Sequence, residues 1–463
     1  MGRYKNSDTL RGVKILVIFL FLVVSRGDCR VLVISVDGLR PDAVTTLGPE
    51  LVPNFYRLRK EGAFTDNART DYDYTTTLPN HTSMVTSRPV LGEDGHGLTV
   101  NSGGITTRVH VKGYTAGMFD VAHDHGYSTA LFAGKAKLLA YQGSYDEVNG
   151  APDETGVDHG RNKLDHAVYN GASPTLVTDF MTSMLEKRWD LSFLHLKAPD
   201  VAGHGFDWNL TPGSLYLASI QEVDGYLGQI FDMLDAHVEL LGVPHVILTT
   251  DHGGTRGTRT HTTPDLPTNY TIPFYVWGPG VKEGADLYFL NPGFVDPGVS
   301  RPEFHSPGSP VRSTMVGNLA LQLMGLPAIP GSSANLSQQF RVNDPPDFQS
   351  LYPGLNPDLD ANRNGLKNFT DYLLGADPLG EDRPDLLPEM DGKFLVVSLR
   401  HNVTDVAPHV EISADGRIWG PLLEGVTFLR REARETPEGV RLTLEVPALL
   451  PRIFLRQVMK SGR

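Results

Sequence analysis

From residue 30 to about 335, short apolar runs alternate with amphipathic stretches. The short runs are Arg30–Val36, Ser128–Ala133, Leu191–Leu196, His245–Thr250 and Ile272–Trp277. They are rich in Val, Ile, Leu and Phe, and most lack a polar face, as expected of strands covered on both sides. Between them, Val52–Glu61, Thr115–His125, Pro174–Lys187, Ser214–Leu234 and Val311–Met324 predict helices. Strand and helix alternating at this scale predict an α/β domain over 30–335, a mostly parallel sheet with helices on both faces. In such sheets ligands gather at the carboxyl ends of the strands.

Both ends of the chain break this pattern. From about 340, Pro and Asp accumulate, which predicts a linker over 336–391. From Gly392 onward the runs Lys393–Leu399, His409–Ser413, Val426–Arg430, Val440–Val446 and Ile453–Val458 predict a small all-β domain, 392–463. At the start, Arg3, Lys5, Arg11 and Lys14 precede the apolar run Ile15–Val24, and Ser25 and Gly27 follow two apart. That is the form of a cleaved signal peptide, residues 1–27. The run is far shorter than the roughly 20 residues a bilayer span needs. No later stretch is apolar enough to span either. The expectation is a secreted or periplasmic protein with no stable membrane span after cleavage.

Composition narrows the function. The formal charge is −13, with no basic stripe to displace phosphate counterions, so nucleic-acid coating is excluded. A single cysteine, Cys29, excludes an intrachain disulfide framework and a Cys-rich zinc site. The histidines remain available for metal.

Four short segments carry acids and histidines near predicted strand ends. They are Ser35–Arg40 with Asp37, Thr77–His81, Pro199–His204 with Asp200, and Thr250–Gly254 with Asp251 and His252, followed by His261. Singly, each reads equally well as a turn, a helix cap or a surface pair. Together they offer three carboxylates (Asp37, Asp200, Asp251), three imidazoles (His204, His252, His261) and the Thr77 hydroxyl. That donor set suits two divalent ions, zinc most naturally.

The segments DGLR, TLPNH, PDVAGH and DHGG, in this order, resemble the alkaline phosphatase superfamily over about 30–335, and most closely its type I phosphodiesterase/nucleotide pyrophosphatase branch. The resemblance implies one zinc on Asp37, Thr77, Asp251 and His252. It implies a second on Asp200, His204 and a third histidine. In the nucleotide pyrophosphatases that histidine lies far downstream, where this chain has GLPAIPGSSAN and none. His261, just before an apolar strand, resembles its placement in the cofactor-independent phosphoglycerate mutases of the superfamily, and is preferred here to His305.

Thr77 would then be the nucleophile, its alcohol activated by bound metal, passing through a phospho-threonine intermediate. A helix opened by Pro79 would add N–H groups that favour an anion. Asn101 resembles the family asparagine that donates to a non-bridging phosphoryl oxygen, and reads equally as a turn residue before Gly103. Lys135 and Lys137 follow a predicted strand, where a solvated strand end is the plain reading. They also resemble the paired cations that clamp phosphate in threonine-type phosphomonoesterases and phosphonoacetate hydrolases. The substrate expected is a small-molecule phosphate mono- or diester. The alternatives are a sulfatase or phosphonate hydrolase on the same scaffold, or an inactive surface-binding protein. A sulfatase requires Cys or Ser in C/S-x-P-x-R, where this chain has Thr77-Leu-Pro-Asn.

Asp360, Asn362, Asn364, Leu366, Asn368 and Asp371 fit the spacing of an EF-hand loop, with Gly365 at the turn and the Leu366 carbonyl as a ligand. Asp371 replaces the usual Glu. A calcium ion here would stiffen the joint between the two domains.

Overall fold

The computed structural model describes residues 30–343 apart from 108–112, 154–159, 292 and 307, then positions 352, 354–356, 358–363, 368 and 379, and the backbone of seven strands between 389 and 461. Residues 1–29, including the apolar run, lie outside this set. Among the described residues no helix is long and apolar enough to cross a membrane.

The main domain is built on an eight-stranded sheet. Its strands are β1 (Val31–Val36), β2 (Ala63–Arg69), β3 (Thr129–Ala133), β4 (His166–Tyr169), β5 (Leu191–Leu196), β6 (His245–Thr249), β7 (Thr271–Trp277) and β8 (Ala285–Asp286). They lie in the order β4-β3-β5-β1-β6-β7-β2-β8. The first five of these are parallel; β7 runs antiparallel to both β6 and β2. The five apolar runs are therefore strands, one of them reversed in direction.

Burial on both faces explains the missing alternation. Along β1, Val31 and Val33 join one core, and Leu32, Ile34 and Val36 join the other. Helices Thr77–Thr86, Met118–Asp124 and Val316–Leu323 contribute to the first core. Helices Pro41–Leu51, Pro53–Glu61, Ser173–Lys187 and Leu215–Ala236 contribute to the second. At about 25 cal/mol per Å² of apolar surface, two such cores dominate the folding free energy.

Several elements escape the apolar pattern. Strand β2 reads AFTDNAR, too polar to stand out, yet it pairs with β7 across a bulge between Thr65 and Ala68. The expected helix Thr115–His125 starts only at Met118, and Val311–Met324 begins with a 3₁₀ turn, Ser313–Met315.

In the tail the described strands form one four-stranded and one three-stranded sheet, and every described pair is antiparallel. Of the expected strand Val426–Arg430, residues 426–429 lie outside the described residues; the described strand runs Arg430–Thr436 and pairs with Gly439–Glu445 from Thr436↔Gly439 onward.

Candidate functional site

Four adjacent parallel strands, β3, β5, β1 and β6, place Ala133, His195, Ser35 and Thr249 in one register row. Two residues beyond that row lie Lys135, Asp37 and Asp251. Asp200 follows β5 on the helix Ala198–Phe206, which also carries His204. The Asp-x-x-x-His spacing is the i, i+4 relation of one helical face, which brings the two side chains together.

The chain turns sharply after Asp37. Gly38 adopts φ 75°, and a β-carbon on it would lie 2.9 Å from the Asp200 Cα. The contact is closed by the Asp200 N–H donating to the Asp37 carbonyl at 3.0 Å. This is why Asp37 and Asp200, far apart in sequence, stand side by side.

Asp37, Asp251 and His252 are fully buried; Asp200 and His261 are nearly so. Each of three histidines donates its Nδ1 hydrogen to a backbone carbonyl: His252 to Gly253 and His204 to Arg259, both at 2.8 Å, and His261 to Thr75. That anchoring turns every Nε2 inward, the tautomer a metal ligand needs. His252 Nε2 lies 3.1 Å from Asp251 Oδ2, 3.5 Å from Asp37 Oδ1 and 3.9 Å from Asp200 Oδ1. Asp200 Oδ1 is 3.6 Å from His261 Nε2 and 3.3 Å from His204 Nε2. His261 stacks on His252 at 3.5 Å between ring centres.

Within this knot Asp37 Oδ1, Asp200 Oδ1, Asp251 Oδ2 and His252 Nε2 are buried without a hydrogen-bond partner. Leaving even one such group unsatisfied costs about 1–3 kcal/mol, more when charged. Four orphans facing one another fit a cation. Two overlapping triads, Asp37–Asp251–His252 and Asp200–His252–His261, each bring one donor atom per residue within 4.8 Å of the others.

Among the cluster's own side chains the buried charges compensate one another. Burial opposes ionisation of Asp37, but Lys135, His195 and His252 hold it well below the usual carboxylate range. Asp251 is likewise lowered despite burial and the nearby Asp37 charge, through His252 and His81. Burial works against a charge on His252, yet Asp251 and then Asp37 and Asp200 raise it to about 9. His261, buried beside His252, is pushed down to about 3.

Thr77 is the first residue of the helix Thr77–Thr86, and its side chain is buried. The helix start is less open to an anion than expected: Pro79 has no N–H, and the Leu78 N–H already donates to Asn101 Oδ1 at 2.9 Å. Lys137 Nζ donates to the same oxygen at 3.1 Å. Lys135 Nζ sits 2.6 Å from both Asp37 Oδ2 and Asp200 Oδ2, and 3.4 Å from Thr77 Oγ1. His305 is elsewhere, exposed and 3.2 Å from Asp94.

An outer ring backs these groups, formed by His81 of the TLPNH segment and by His195, which lies outside the four segments. His195 Nε2 bonds Asp37 Oδ2 at 2.9 Å, while its Nδ1 accepts from Gly134 N–H. His81 donates Nδ1–H to the Thr77 carbonyl and accepts from Ser35 Oγ at Nε2. The signal available for His195 was a histidine inside the otherwise apolar strand LSFLHL. Of the calcium-type loop, Asn364, Leu366 and Asp371 lie outside the described residues. Asp360 and Asn362 are described, and Asn368 is buried, bonding the Ala361 N–H and the Asn356 carbonyl.

Residues 31–269 match the family model described as type I phosphodiesterase / nucleotide pyrophosphatase. No curated protein sequence matches the chain. Among solved structures it is similar to an inactive variant of murine ectonucleotide pyrophosphatase/phosphodiesterase 5 in complex with AMP, at TM-score 0.46 and 15% identity over 67% of this chain and 99% of that one. It is also similar to a protein solved with its substrate D-glucosamine-2-N,6-O-disulfate (TM-score 0.45, 12% identity, 68% and 81% covered). A third is the C-terminal periplasmic domain of the phosphoethanolamine transferase EptC from Campylobacter jejuni (TM-score 0.43, 14% identity, 68% and 94% covered).

Proposed function

Since the chain belongs to the type I phosphodiesterase/nucleotide pyrophosphatase family, we propose that it is an exported, two-zinc hydrolase of phosphoric esters that uses Thr77 as nucleophile. The observation that carries this reading is the convergence of orphaned buried donors from Asp37, Asp200, Asp251 and His252, linked to Thr77 Oγ1 by the Lys135 ammonium 3.4 Å from it. Asp37, Thr77, Asp251 and His252 would hold one ion, and Asp200, His204 and His261 the other. Bound there, the ions supply Lewis-acid charge for the attacking and leaving oxygens.

The chain's own groups do the rest. Thr77 Oγ1 attacks phosphorus and releases its proton to solvent, while the bond from phosphorus to the leaving oxygen breaks and that oxygen takes a proton from water. Water then attacks the phospho-threonine and restores the hydroxyl. His81, bonded to the Thr77 carbonyl and to Ser35, fixes the backbone of the nucleophile. Asn101 has its Oδ1 committed to Leu78 N–H and Lys137, so its Nδ2 hydrogens are what it offers a phosphoryl oxygen. Lys137 adds positive charge beside them, suited to a substrate with more than one negative charge.

The motif favours phosphoryl over sulfuryl chemistry. Where C/S-x-P-x-R places its first and last residues, this chain has Thr77 and the buried His81.

The test uses residues 28–463 purified with zinc. Two zinc ions per chain are expected, with kcat/KM on p-nitrophenyl phosphate or bis-p-nitrophenyl phosphate well above that on p-nitrophenyl sulfate. Thr77→Ala should abolish the turnover. No bound metal after repletion, or Thr77→Ala equal to wild type, would overturn the reading.

A further inference from the structure

We infer that Lys135 is a resident counter-ion of the metal centre, which takes one oxygen from each of two ligand carboxylates and leaves the other for a cation. The inference rests on the two-metal reading above. It goes further in assigning a role that a substrate-binding lysine would not have.

The division of oxygens is explicit. Lys135 Nζ contacts the Oδ2 atoms of Asp37 and Asp200, both at 2.6 Å. Asp37 Oδ2 is further occupied by His195 Nε2 at 2.9 Å. The Oδ1 atoms of the same two residues are the orphaned ones, and they face the histidines: His252 on one side, His204 and His261 on the other. Each carboxylate thus has one oxygen committed to the ammonium and the other unpartnered, the one that would be left to hold a cation. A single nitrogen stands between the two carboxylates, 2.6 Å from one oxygen of each.

The lysine is largely enclosed. It stands two residues past β3, and its side chain is only 16% exposed. Lys137, two residues on, points to Asn101 instead. The two lysines therefore divide the work: one belongs to the ligands and the other to the phosphoryl side.

Two consequences of opposite sign follow from one added positive charge. Without metal, Lys135 compensates buried carboxylates that would otherwise repel one another, so it stabilises the empty protein. With metal, the same ammonium repels the cations, so it weakens their binding. A residue that merely packed, or that only contacted substrate, would produce neither pairing.

The experiment compares the full mature chain with Lys135→Met and, should that variant fold poorly, Lys135→Gln. Zinc affinity is measured by competition with a chromogenic chelator, and melting temperature with and without zinc. The expected result is zinc affinity at least about tenfold tighter than wild type, together with a lower Tm of the stripped protein and a zinc-loaded Tm close to wild type. Unchanged or weaker zinc binding by the folded variants, with wild type binding normally, would overturn this inference alone. Failure of wild type to bind zinc would instead overturn the metal reading and this role with it.

Discussion

The indole of Trp208 occupies the space that a side chain on Gly254 would need: a β-carbon there would fall inside the ring. The same ring rules out a β-carbon on Gly203. Trp208 is fully buried, lies edge-on to His204 at 5.2 Å and sits 6.0 Å from His261. Arg40 Nη1 ties the arrangement to β1 by donating to the carbonyls of both Trp208 and Gly254. One aromatic wedge thus fixes the helix that carries Asp200 and His204 against the loop that carries Asp251 and His252.

Gly254→Ala should therefore lower stability by about 1–3 kcal/mol through overpacking and reduce zinc retention. Gly225→Ala is the contrast, since a β-carbon there meets nothing within 4 Å on the helix Leu215–Ala236. It should be neutral or add about 0.5–1 kcal/mol. Urea unfolding of both variants decides the point; equal effects would remove Trp208 from its wedge role.

The second glycine of DHGG shows where sequence reading stops. The meeting of the acids and histidines was legible because strand ends in a parallel sheet limit where such side chains sit. The five buried strands were legible from apolar composition. Strand β2, the helix under Asp200 and the partner of Gly254 were not. Each depends on a contact distant in sequence: the β2–β7 pairing, the packing of Asp200 on Gly38, and Trp208 on the histidine loop. Lys135 was visible as a cation after a strand, but its bonds to Asp37 and Asp200 required the register of β3, β5 and β1.

The choice between His261 and His305 predicts a difference in metal content. His261 is buried and faces Asp200, whereas His305 is 66% exposed and pairs with Asp94. His261→Ala should retain about one zinc fewer per chain after dialysis and lose most turnover. His305→Ala should match wild type in both. Elemental analysis settles this, and a zinc deficit in the His305 variant would reverse the assignment.

Asp224 tests packing remote from the chemistry. From the helix Leu215–Ala236 its Oδ1 accepts from the Asn54 and Phe55 N–H groups at 3.0 and 2.9 Å, and its Oδ2 accepts from Asn54 Nδ2 at 2.9 Å. It thereby supplies in trans the cap that Val52 does not give the helix Pro53–Glu61. Asp224→Ala should cost about 2 kcal/mol while leaving kcat and zinc content unchanged. A loss of zinc without a loss of stability would contradict a purely structural role.

His96 makes stability depend on pH. It is fully buried, its Nδ1 accepts from the Leu98 N–H at 3.0 Å, and its Nε2 lies 3.0 Å from Ser83 Oγ. An Nδ1 that accepts carries no proton, so the ring is neutral, and burial pushes its pKa from 6.5 down to about 3. The unfolded chain therefore takes up a proton below about pH 6.5 that the folded protein refuses. Stability is fully present above that pH and falls as pH drops toward 3, by about 1.4 kcal/mol per pH unit from this group. His81, held at about 4 by burial, adds a slope of the same sign. His96→Gln keeps a donor for Ser83 and has nothing to titrate. Its unfolding free energy between pH 7 and 5 should fall less steeply than wild type by about one proton's worth. Parallel curves for the two proteins would mean that His96 is protonated in the fold, and that its bond with Leu98 is not as described.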